Sequence, residues 1–584
     1  MATAAPWTKA KAALLQSHRD DDAKTLQSPC VLEANSAWGS SYDDTDGELG
    51  GKTSDGALQP GGAFPLFGRE SIGLLCQYAG VGILSGTLPN LVYPIFTRYL
   101  QMEGYQIASY VPIINIAWSL KVFAGIASDC FPIYGYKRKS YIVMGWCIAL
   151  VCCACMALTP FPAPAFANAL KGQNLKNLTA FDIEHYTNPH AKDQGSQFVL
   201  WSMGATFGFV LADVAADAVM VQHAQREPIH MRGRIQTMIY VVRESFRMIP
   251  LVVIGVCLND FQYGGGFDFS IAPSVIYWLL TGACALALVA SFTLLVEAPT
   301  PAVPFREYIH GLWDLLHLRV MWQICAFRFI AYFGSQFDAT PRPIVASMWL
   351  KVQPFPTAMY LIAGSALNAL TYYLCGRYGL HWNWRTALIV SSVIAVAMDA
   401  AIMLPSIWSS DARQSQHYYL VTMTVEKIPS AVQFIVPSFS SVELADMGNE
   451  GAVHGLTTTI ANFAAPVCSM LFKTLDGFFD TSLSTMSQDS TYVRWQATYC
   501  FLVAYAVKLA WLASLPLLPK QKAHLQLLKR RGRRDSHAGV ILVTLFLGLM
   551  VFQFLGNVLS IFPSTTCWRI AGGKGLPPGK DTCV

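Results

Sequence analysis

Charged side chains are scarce in this sequence. Asp, Glu, Lys and Arg make up only 13% of the 584 residues, whereas 53% are hydrophobic. An ordinary soluble protein carries about 25% charged residues, so this composition excludes a soluble enzyme and favours a polytopic protein of the lipid bilayer. The formal net charge of +5 is small, and the basic residues collect in short turns. We therefore expect no nucleic-acid partner.

Motifs for catalysis and nucleotide binding are missing as well. The sequence has no His pair at metal-binding spacing and no nucleophile elbow, so we predict no enzyme activity, no metal and no cofactor. Gly51, Lys52 and Thr53 resemble the end of a phosphate-binding loop, but Asp46 occupies the position of its first glycine. ATP-driven transport is therefore disfavoured.

Apolar segments dominate the chain after its polar, Ser- and Asp-rich start. From Ile72 onward thirteen such segments recur, each near the roughly 20 residues that cross a bilayer. Gly82 and Gly86 in the first segment form a small-xxx-small step, which favours close helix packing. The domains we predict are a disordered cytoplasmic tail (1–66), a six-helix bundle (67–297), a cytoplasmic linker (298–319), a second six-helix bundle (320–519), a basic cytoplasmic linker (520–538), an extra transmembrane helix (539–562) and a C-terminal tail (563–584).

The positive residues predict the orientation, because they cluster in alternate connections and cytoplasmic turns are enriched in Lys and Arg. This places the N-terminus inside the cell. The long loop with the glycosylation acceptor Asn177 then lies outside, as do Cys567 and Cys583, where a disulfide would persist. The sequence shows no organellar address, so we expect the plasma membrane, with an organellar membrane as the alternative.

Charges embedded in the apolar segments are the candidate site. Asp213 and Asp217, and likewise Arg243 and Arg247, are four residues apart and so share a helix face. With Lys121 they fall at similar depths, roughly 12 Å into the membrane at 1.5 Å per residue. Charges at this depth need a partner, a wet cavity or a ligand. The alternative is that Asp213 and Asp217 only neutralise Arg243 and Arg247 in a structural network.

Two strings carry a resemblance to a known family. The first is Trp118, Lys121, Gly125, Ser128, Asp129, Pro132, Gly135, Tyr136, Lys137, Arg138, Lys139, Ser140 and Tyr141; the second is Ala212, Asp213, Ala216, Asp217, Arg232, Gly233 and Gln236. Both resemble signatures of the folate-biopterin transporter family, a branch of the major facilitator superfamily. A weaker third string is Glu450, Gly451, Gly455, Leu456 and Asn462.

This resemblance implies an all-α membrane protein with a major-facilitator-type bundle of twelve transmembrane helices in two halves. It also implies a secondary active transporter of folate- or pterin-like small molecules, coupled to protons and working by alternating access. A carboxylate can accept two hydrogen bonds from a pterin edge, and a cation can hold a folate carboxylate. The roles we expect are substrate binding by Lys121, Asp213, Asp217, Arg243, Arg247 and Arg328, proton coupling by Asp217 and Glu426, and gating by Asp129, Lys137, Arg138 and Lys139.

Other readings of the same scaffold stay open. The substrate can be another metabolite, such as S-adenosylmethionine or a nucleoside-like compound. A membrane receptor that transports nothing also fits the predicted topology. Aromatic residues in the bundle, including Trp118, Tyr240, Phe329 and Tyr332, can stack on a ring, although most aromatics in such a bundle are core residues.

Overall fold

The computed structural model describes residues 56–102, 104–171, 180–409, 415–481 and 483–559, together with residues 562, 564, 565, 567 and 568. Asn177, Cys583 and most of the predicted N-terminal tail lie outside these ranges. Cys567 is disulfide-bonded. Within the described ranges the chain is helical, and β structure is limited to isolated bridges.

The first half of the chain contains seven long helical stretches. Helix α1 continues through a 3₁₀ turn and a π-helical stretch to Tyr99, and α2 is separated from α3 by a break at Leu120. The helices are α1 (Arg69–Thr87), α2 (Gly104–Ser119), α3 (Lys121–Cys130), α4 (Lys139–Leu158), α5 (Ser196–Gln225), α6 (Arg234–Cys257) and α7 (Pro273–Thr293).

The second half follows a linker helix, α8 (Phe305–Leu316). Its α12 and α13 are separated near Glu426, because Pro429 has no N–H to continue the helical hydrogen bonding. The remaining helices are α9 (Arg319–Gln336), α10 (Pro354–Tyr378), α11 (Trp384–Trp408), α12 (Gln416–Val425), α13 (Lys427–Leu444), α14 (Glu450–Asp476), α15 (Thr491–Ala510), α16 (Lys522–Arg531) and α17 (Ser536–Leu559).

Helices occur at all thirteen predicted positions, but they are not equally apolar. Among the described residues, 9 helical segments are long and apolar enough to cross a membrane by length and composition. The other four positions are α2 with α3, α6, α9, and α12 with α13. Two of these are interrupted, and α6 and α9 carry arginines within their apolar stretches. The number of crossings beyond nine, like the domain boundaries, stays a prediction.

Helix packing places α3 and α6 of the first half against the second half. Helix α3 packs on α14, and α6 packs on α10. Within the first half, α1 packs on α6 through Gly82 and Gly86. A Cβ atom on Gly82 would lie 2.4 Å from the carbonyl oxygen of Arg243. The predicted packing role of this glycine step is confirmed. Helix α17 lies outside the bundle, against α2, α9 and α14.

The basic turns come together at one end of the bundle. Residues 58 and 59, just before α1, hydrogen-bond to the carbonyl of Gln225 at the end of α5. The linker residue Tyr308 donates to Asp129 in the last turn of α3, and Gln521 before α16 donates to the carbonyl of Trp382 after α10. We refer to this end as the predicted cytoplasmic end.

Candidate functional site

A buried ion cluster joins α3 and α5. Lys121 Nζ lies 2.6 Å from Asp213 Oδ2 and 2.9 Å from Asp217 Oδ2. The three side chains are nearly inaccessible to solvent, at 4%, 1% and 4% exposure. One ammonium carries a single positive charge, so it neutralises only part of the charge of the two carboxylates. The other carboxylate oxygen of Asp213, Oδ1, has no hydrogen-bond partner among the described residues.

Local structure explains why these three residues meet. Asp213 and Asp217 are four residues apart in the continuous helix α5 and therefore lie on the same face of it. Lys121 is the first residue of α3, directly after the break at Leu120. Below the ammonium lies the indole of Trp118, 4.8 Å from Nζ to the ring centroid. A cation held between carboxylates and an aromatic face is favourably placed in a low-dielectric interior.

Two partners of Asp217 come from outside the pattern that the sequence offered. The hydroxyl of Tyr78 on α1 donates to Asp217 Oδ1 at 2.6 Å. His454 on α14 belongs to the second half, and its Nε2 lies 3.4 Å from Asp217 Oδ2. Sequence reasoning missed both residues. The only signal for His454 was its position inside the weaker third string, between Gly451 and Gly455.

The arginines of α6 do not pair with these carboxylates. The guanidinium of Arg243 lies over the ring of Trp118, with its central carbon 5.5 Å from the ring centroid. Arg247 is partly exposed and lies 3.7 Å from Glu244, one turn back on its own helix. The cation that pairs with Asp213 and Asp217 is thus Lys121. The alternative in which Arg243 and Arg247 neutralise these carboxylates expected different partners.

Arg328 on α9 lines a separate pocket one helical turn away from His454. Its Nε donates to the carbonyl of Thr457 at 3.0 Å, while the buried Nη1 has no hydrogen-bond partner within the described part of the chain. The pocket has about 550 Å³ of empty space, part of it open to solvent. Its lining combines polar and aromatic side chains: Arg328, Tyr332, Ser335, Gln433, Phe434, Thr458, Asn462 and Trp511, with Ala331, Pro437 and Ala461.

Glu426 does not line this pocket. It is half-buried between α12 and α13 and interacts electrostatically with Asp399, Lys508 and Arg342. These residues form a second ion cluster within the second half, in which Arg342 donates to both oxygens of Asp399 at 2.8 and 2.6 Å. Sequence reasoning placed Glu426 facing a cavity, whereas its neighbours here are charged side chains.

The predicted gate residues Asp129 and Arg138 form a contact between the two halves. Arg138 pairs with Asp129 at 2.5 Å and with Glu450, the first residue of α14, at 3.1 Å. Asp129 also accepts from the backbone N–H of Ala452 at 2.8 Å and from the hydroxyl of Tyr308 at 2.8 Å. Burial raises the pKa of Tyr308, and the charge of Asp129 adds to this shift.

Glycine allows the helices to approach closely at this contact. A Cβ atom on Gly125 would lie 2.4 Å from the carbonyl oxygen of Gly451, so any larger residue at position 125 would force α3 and α14 apart. The other two predicted gate residues make different contacts. The backbone N–H groups of Lys137 and Lys139 donate to Glu297, and Lys139 Nζ donates to carbonyls at the end of α7.

A second contact between the halves was not expected as a gate. Arg232, before α6, donates through Nη1 to both oxygens of Glu443 on α13, at 2.8 and 2.9 Å. Both side chains are buried, at 1% exposure each. Lys522 of α16 donates to the carbonyl of Arg232, and burial, only partly offset by Glu443, lowers the pKa of Lys522 to about 8. The predicted cytoplasmic end is therefore closed by two buried ion pairs.

Comparison with known proteins finds similarity to one family of transporters over part of the chain. Residues 82–170, which include the first signature string and Lys121, match the model of the BT1 family. "Folate transporter 1" of Plasmodium falciparum (isolate 3D7) is 26% identical over 95 residues, which are 16% of this chain and 18% of that protein. "Probable folate-biopterin transporter 4" of Arabidopsis thaliana is 24% identical over 245 residues, 42% of this chain and 41% of that protein.

The chain is thus similar, over these parts, to folate and folate-biopterin transporters. Each alignment spans less than half of the length of the curated relative. Two solved structures show the same fold over most of the chain. The proton:xylose symporter XylE, bound to 6-bromo-6-deoxy-D-glucose, has a TM-score of 0.50 at 13% identity and covers 80% of this chain and 98% of its own.

A second structure, of a D-xylose-proton symporter, gives a TM-score of 0.50 at 11% identity with the same coverage of 80% and 98%. At such low identity these likenesses concern the fold alone. They confirm the predicted class, an all-α, multi-pass membrane protein with the major-facilitator architecture. Residues of the strings that resemble the family's signatures, among them Asp129, Arg138 and Asp217, lie at the contact between the two halves.

Proposed function

We propose that this protein is a secondary active transporter of folate- or pterin-like small organic molecules, coupled to protons, with a central site that faces alternate sides of the membrane. The observation that carries the proposal is the position of the ion cluster of Lys121, Asp213 and Asp217. It lies within the first half and meets the second half at His454. Ion pairs across such a contact can form and break when two bundles rock against each other.

The pocket at Arg328 supports an anionic, planar substrate. A buried guanidinium group with a free Nη1 is costly unless an acceptor arrives, and a carboxylate accepts from it in bidentate fashion. Gln433 and Asn462 offer amide groups for an aminopyrimidinone edge, and Tyr332, Phe434 and Trp511 offer aromatic faces for the ring.

The ion cluster and the pocket form one site in this proposal. Thr458, which lines the pocket, is four residues from His454 on α14, so both face the same side of that helix. In the closed arrangement Lys121 pairs with one oxygen of each carboxylate. When the halves separate, Lys121, Arg243 and Arg247 become available to a substrate carboxylate, and Asp213 to the donors of a pterin edge.

Gating and coupling complete the proposed cycle. The pairs of Arg138 with Glu450 and of Arg232 with Glu443 hold the predicted cytoplasmic end closed while the other side admits substrate. Asp217 and Glu426 are the carboxylates proposed to carry the coupling proton. We place the protein in the plasma membrane, with an organellar membrane as the alternative location.

A competition experiment tests the substrate class. The purified protein is reconstituted in vesicles, and uptake of labelled folic acid is measured in the presence of excess unlabelled biopterin, S-adenosylmethionine or a nucleoside. We expect biopterin to compete and the other two to have no effect. Competition by S-adenosylmethionine or the nucleoside alone would assign a different metabolite, and saturable binding without uptake would indicate a receptor.

Substitution of Arg328 tests the pocket. Arg328→Ala removes the guanidinium that is proposed to hold the substrate carboxylate, so we expect the KM for folic acid to rise by about tenfold or more, the lower range for a lost charged hydrogen bond. Arg306→Ala, at an exposed position of the linker, is the matched control and should leave the KM unchanged. Equal KM values for the two variants would remove Arg328 from the substrate site.

A further inference from the structure

His454 is the only residue of the described ion cluster that comes from the second half. Its side chain is 1% exposed, and neither ring nitrogen has a hydrogen-bond partner of good geometry among the described residues. The nearest acceptor is Asp217 Oδ2, 3.4 Å from Nε2. A buried imidazole without a firm partner needs an explanation, because most buried polar groups are hydrogen-bonded.

The helix that carries His454 is held tightly against α3. A Cβ atom on Gly455 would lie 3.0 Å from the carbonyl oxygen of Lys121, and one turn earlier Gly451 abuts Gly125 and Asp129. The backbone of His454 therefore stays beside α3 while the contact of Arg138 with Glu450 is intact. Opening of the predicted cytoplasmic end, which separates α14 from α3, would break both contacts together.

The groups around His454 are of both signs. The charged and titratable residues on the helices around it are Lys121 on α3, Asp213 and Asp217 on α5, Tyr78 on α1, Arg243 on α6 and Arg328 on α9. Helices α2 and α17 also touch α14 but contain no Asp, Glu, Lys or Arg. On α13, Glu443 is engaged by Arg232, and Lys427 is at the opposite end.

We propose that His454 binds a proton and that this proton holds the predicted cytoplasmic end closed. Histidine is the side chain that ordinarily changes its charge between pH 5 and 8. A protonated imidazole donates a charge-assisted hydrogen bond to Asp217 across the contact between the halves, and a neutral imidazole donates a weaker one. Binding of a proton from the outer side thus favours the closed arrangement, and its release to the cytoplasm accompanies opening.

This inference rests on the proposed function, because it assigns a coupling group to the same site. It adds a residue from the second half to the carboxylates Asp217 and Glu426. In a group that spans the moving contact, protonation and conformation are linked directly: whichever arrangement brings His454 closer to Asp217 binds the proton more tightly.

The test measures conformation and needs no substrate. Spin labels are attached at Tyr134→Cys, in the turn after α3, and at Tyr378→Cys, at the end of α10, in a background from which the reactive native cysteines have been removed. Both positions are exposed, at 94% and 58%, and they belong to opposite halves. The distance distribution is measured by pulsed electron paramagnetic resonance in lipid nanodiscs between pH 5.5 and 8.0.

We expect the ratio of the short-distance to the long-distance population to fall by about tenfold as the pH rises. A tenfold change corresponds to the lower end of the stabilisation that a hydrogen bond to a charged group provides. His454→Gln should abolish this response, while His381→Gln, an exposed histidine after α10, should retain it. Asp217→Asn keeps an oxygen that accepts a hydrogen bond but removes the negative charge that favours a protonated His454. It should therefore also abolish the response, and it keeps the test decisive if His454→Gln does not fold.

Two results overturn the inference: a wild-type protein without a pH response, or a full response in His454→Gln or in Asp217→Asn. These outcomes are distinct from failure of the proposed function. Folic acid uptake without a conformational pH response would contradict the role of His454 and leave transport standing. A pH response that depends on His454, in a protein that moves no pterin or folate, would leave the inference standing and contradict the substrate class.

Discussion

The contact of Arg138 with Glu450 gives a prediction that the structure makes quantitative. Glu450→Gln removes one carboxylate from a buried pair that spans the two halves, while Arg138 keeps Asp129 at 2.5 Å. The guanidinium is therefore not left unpaired, and the protein should fold. Only the closed arrangement contains the pair, so the substitution should shift the equilibrium toward opening of the predicted cytoplasmic end.

The size of this shift follows from the hydrogen bond that is lost. A hydrogen bond to a charged group contributes about 1.5 to 3 kcal/mol, roughly twice that of a neutral one. The amide of glutamine can still accept a neutral hydrogen bond from Arg138, so about 1 to 1.5 kcal/mol is lost. This corresponds to a change of about tenfold in the ratio of closed to open molecules, since 1.4 kcal/mol is a factor of ten.

The label pair at positions 134 and 378 provides the assay, with Glu297→Gln as the matched control. Glu297 accepts from the backbone N–H groups of residues 137, 138 and 139, all within the first half. Its loss weakens a turn without removing a contact between the halves. A distance distribution that does not change in Glu450→Gln, or changes as much in Glu297→Gln, would refute this account of the gate.

Two further predictions concern protons. External acidification should stimulate uptake, and Glu426→Gln should remove the stimulation, because this carboxyl is proposed to carry a proton. An unchanged pH profile of uptake in this variant would place the proton elsewhere. The pKa of Lys522 is about 8 in the folded protein, below its unfolded value of about 10.4. Burying the charged ammonium therefore destabilises the folded state at low pH, and this cost disappears as the pH rises from 8 toward 10. Thermal unfolding should show stability rising over this window by roughly 2 to 3 kcal/mol, and Lys522→Met should flatten the rise; equal slopes in the two proteins would show that Lys522 is not the cause.

Much of the fold was predictable, because hydrophobic length is a local property. Helices occur at each predicted apolar segment, and the Gly82 and Gly86 step packs as expected. The depth argument also brought Lys121 to the level of Asp213 and Asp217, and the three residues meet. The spacing did not reveal which cation pairs with which acid. Arg243 lies over the ring of Trp118, and Arg247 pairs with Glu244 of its own helix.

The contacts between the halves were the least predictable part. The roles of His454 and Glu443 depend on how α14 and α13 dock against the first half, hundreds of residues away in sequence. No periodicity within either helix encodes that docking. The break near Glu426 was also not predicted, since the hydropathy of this segment is continuous and Pro429 interrupts the helix. Beside this break, the Glu426 carboxyl interacts with Asp399, Lys508 and Arg342.

The central claim is that the cluster of Lys121, Asp213 and Asp217 belongs to a transport pathway. Counterflow of labelled folic acid into preloaded vesicles measures this directly in the wild-type protein, in Asp217→Asn and in Asp193→Asn, an exposed carboxylate in the loop before α5. The account predicts counterflow in the wild type and in Asp193→Asn, and none in a folded, inserted Asp217→Asn protein. Normal counterflow in Asp217→Asn would contradict it.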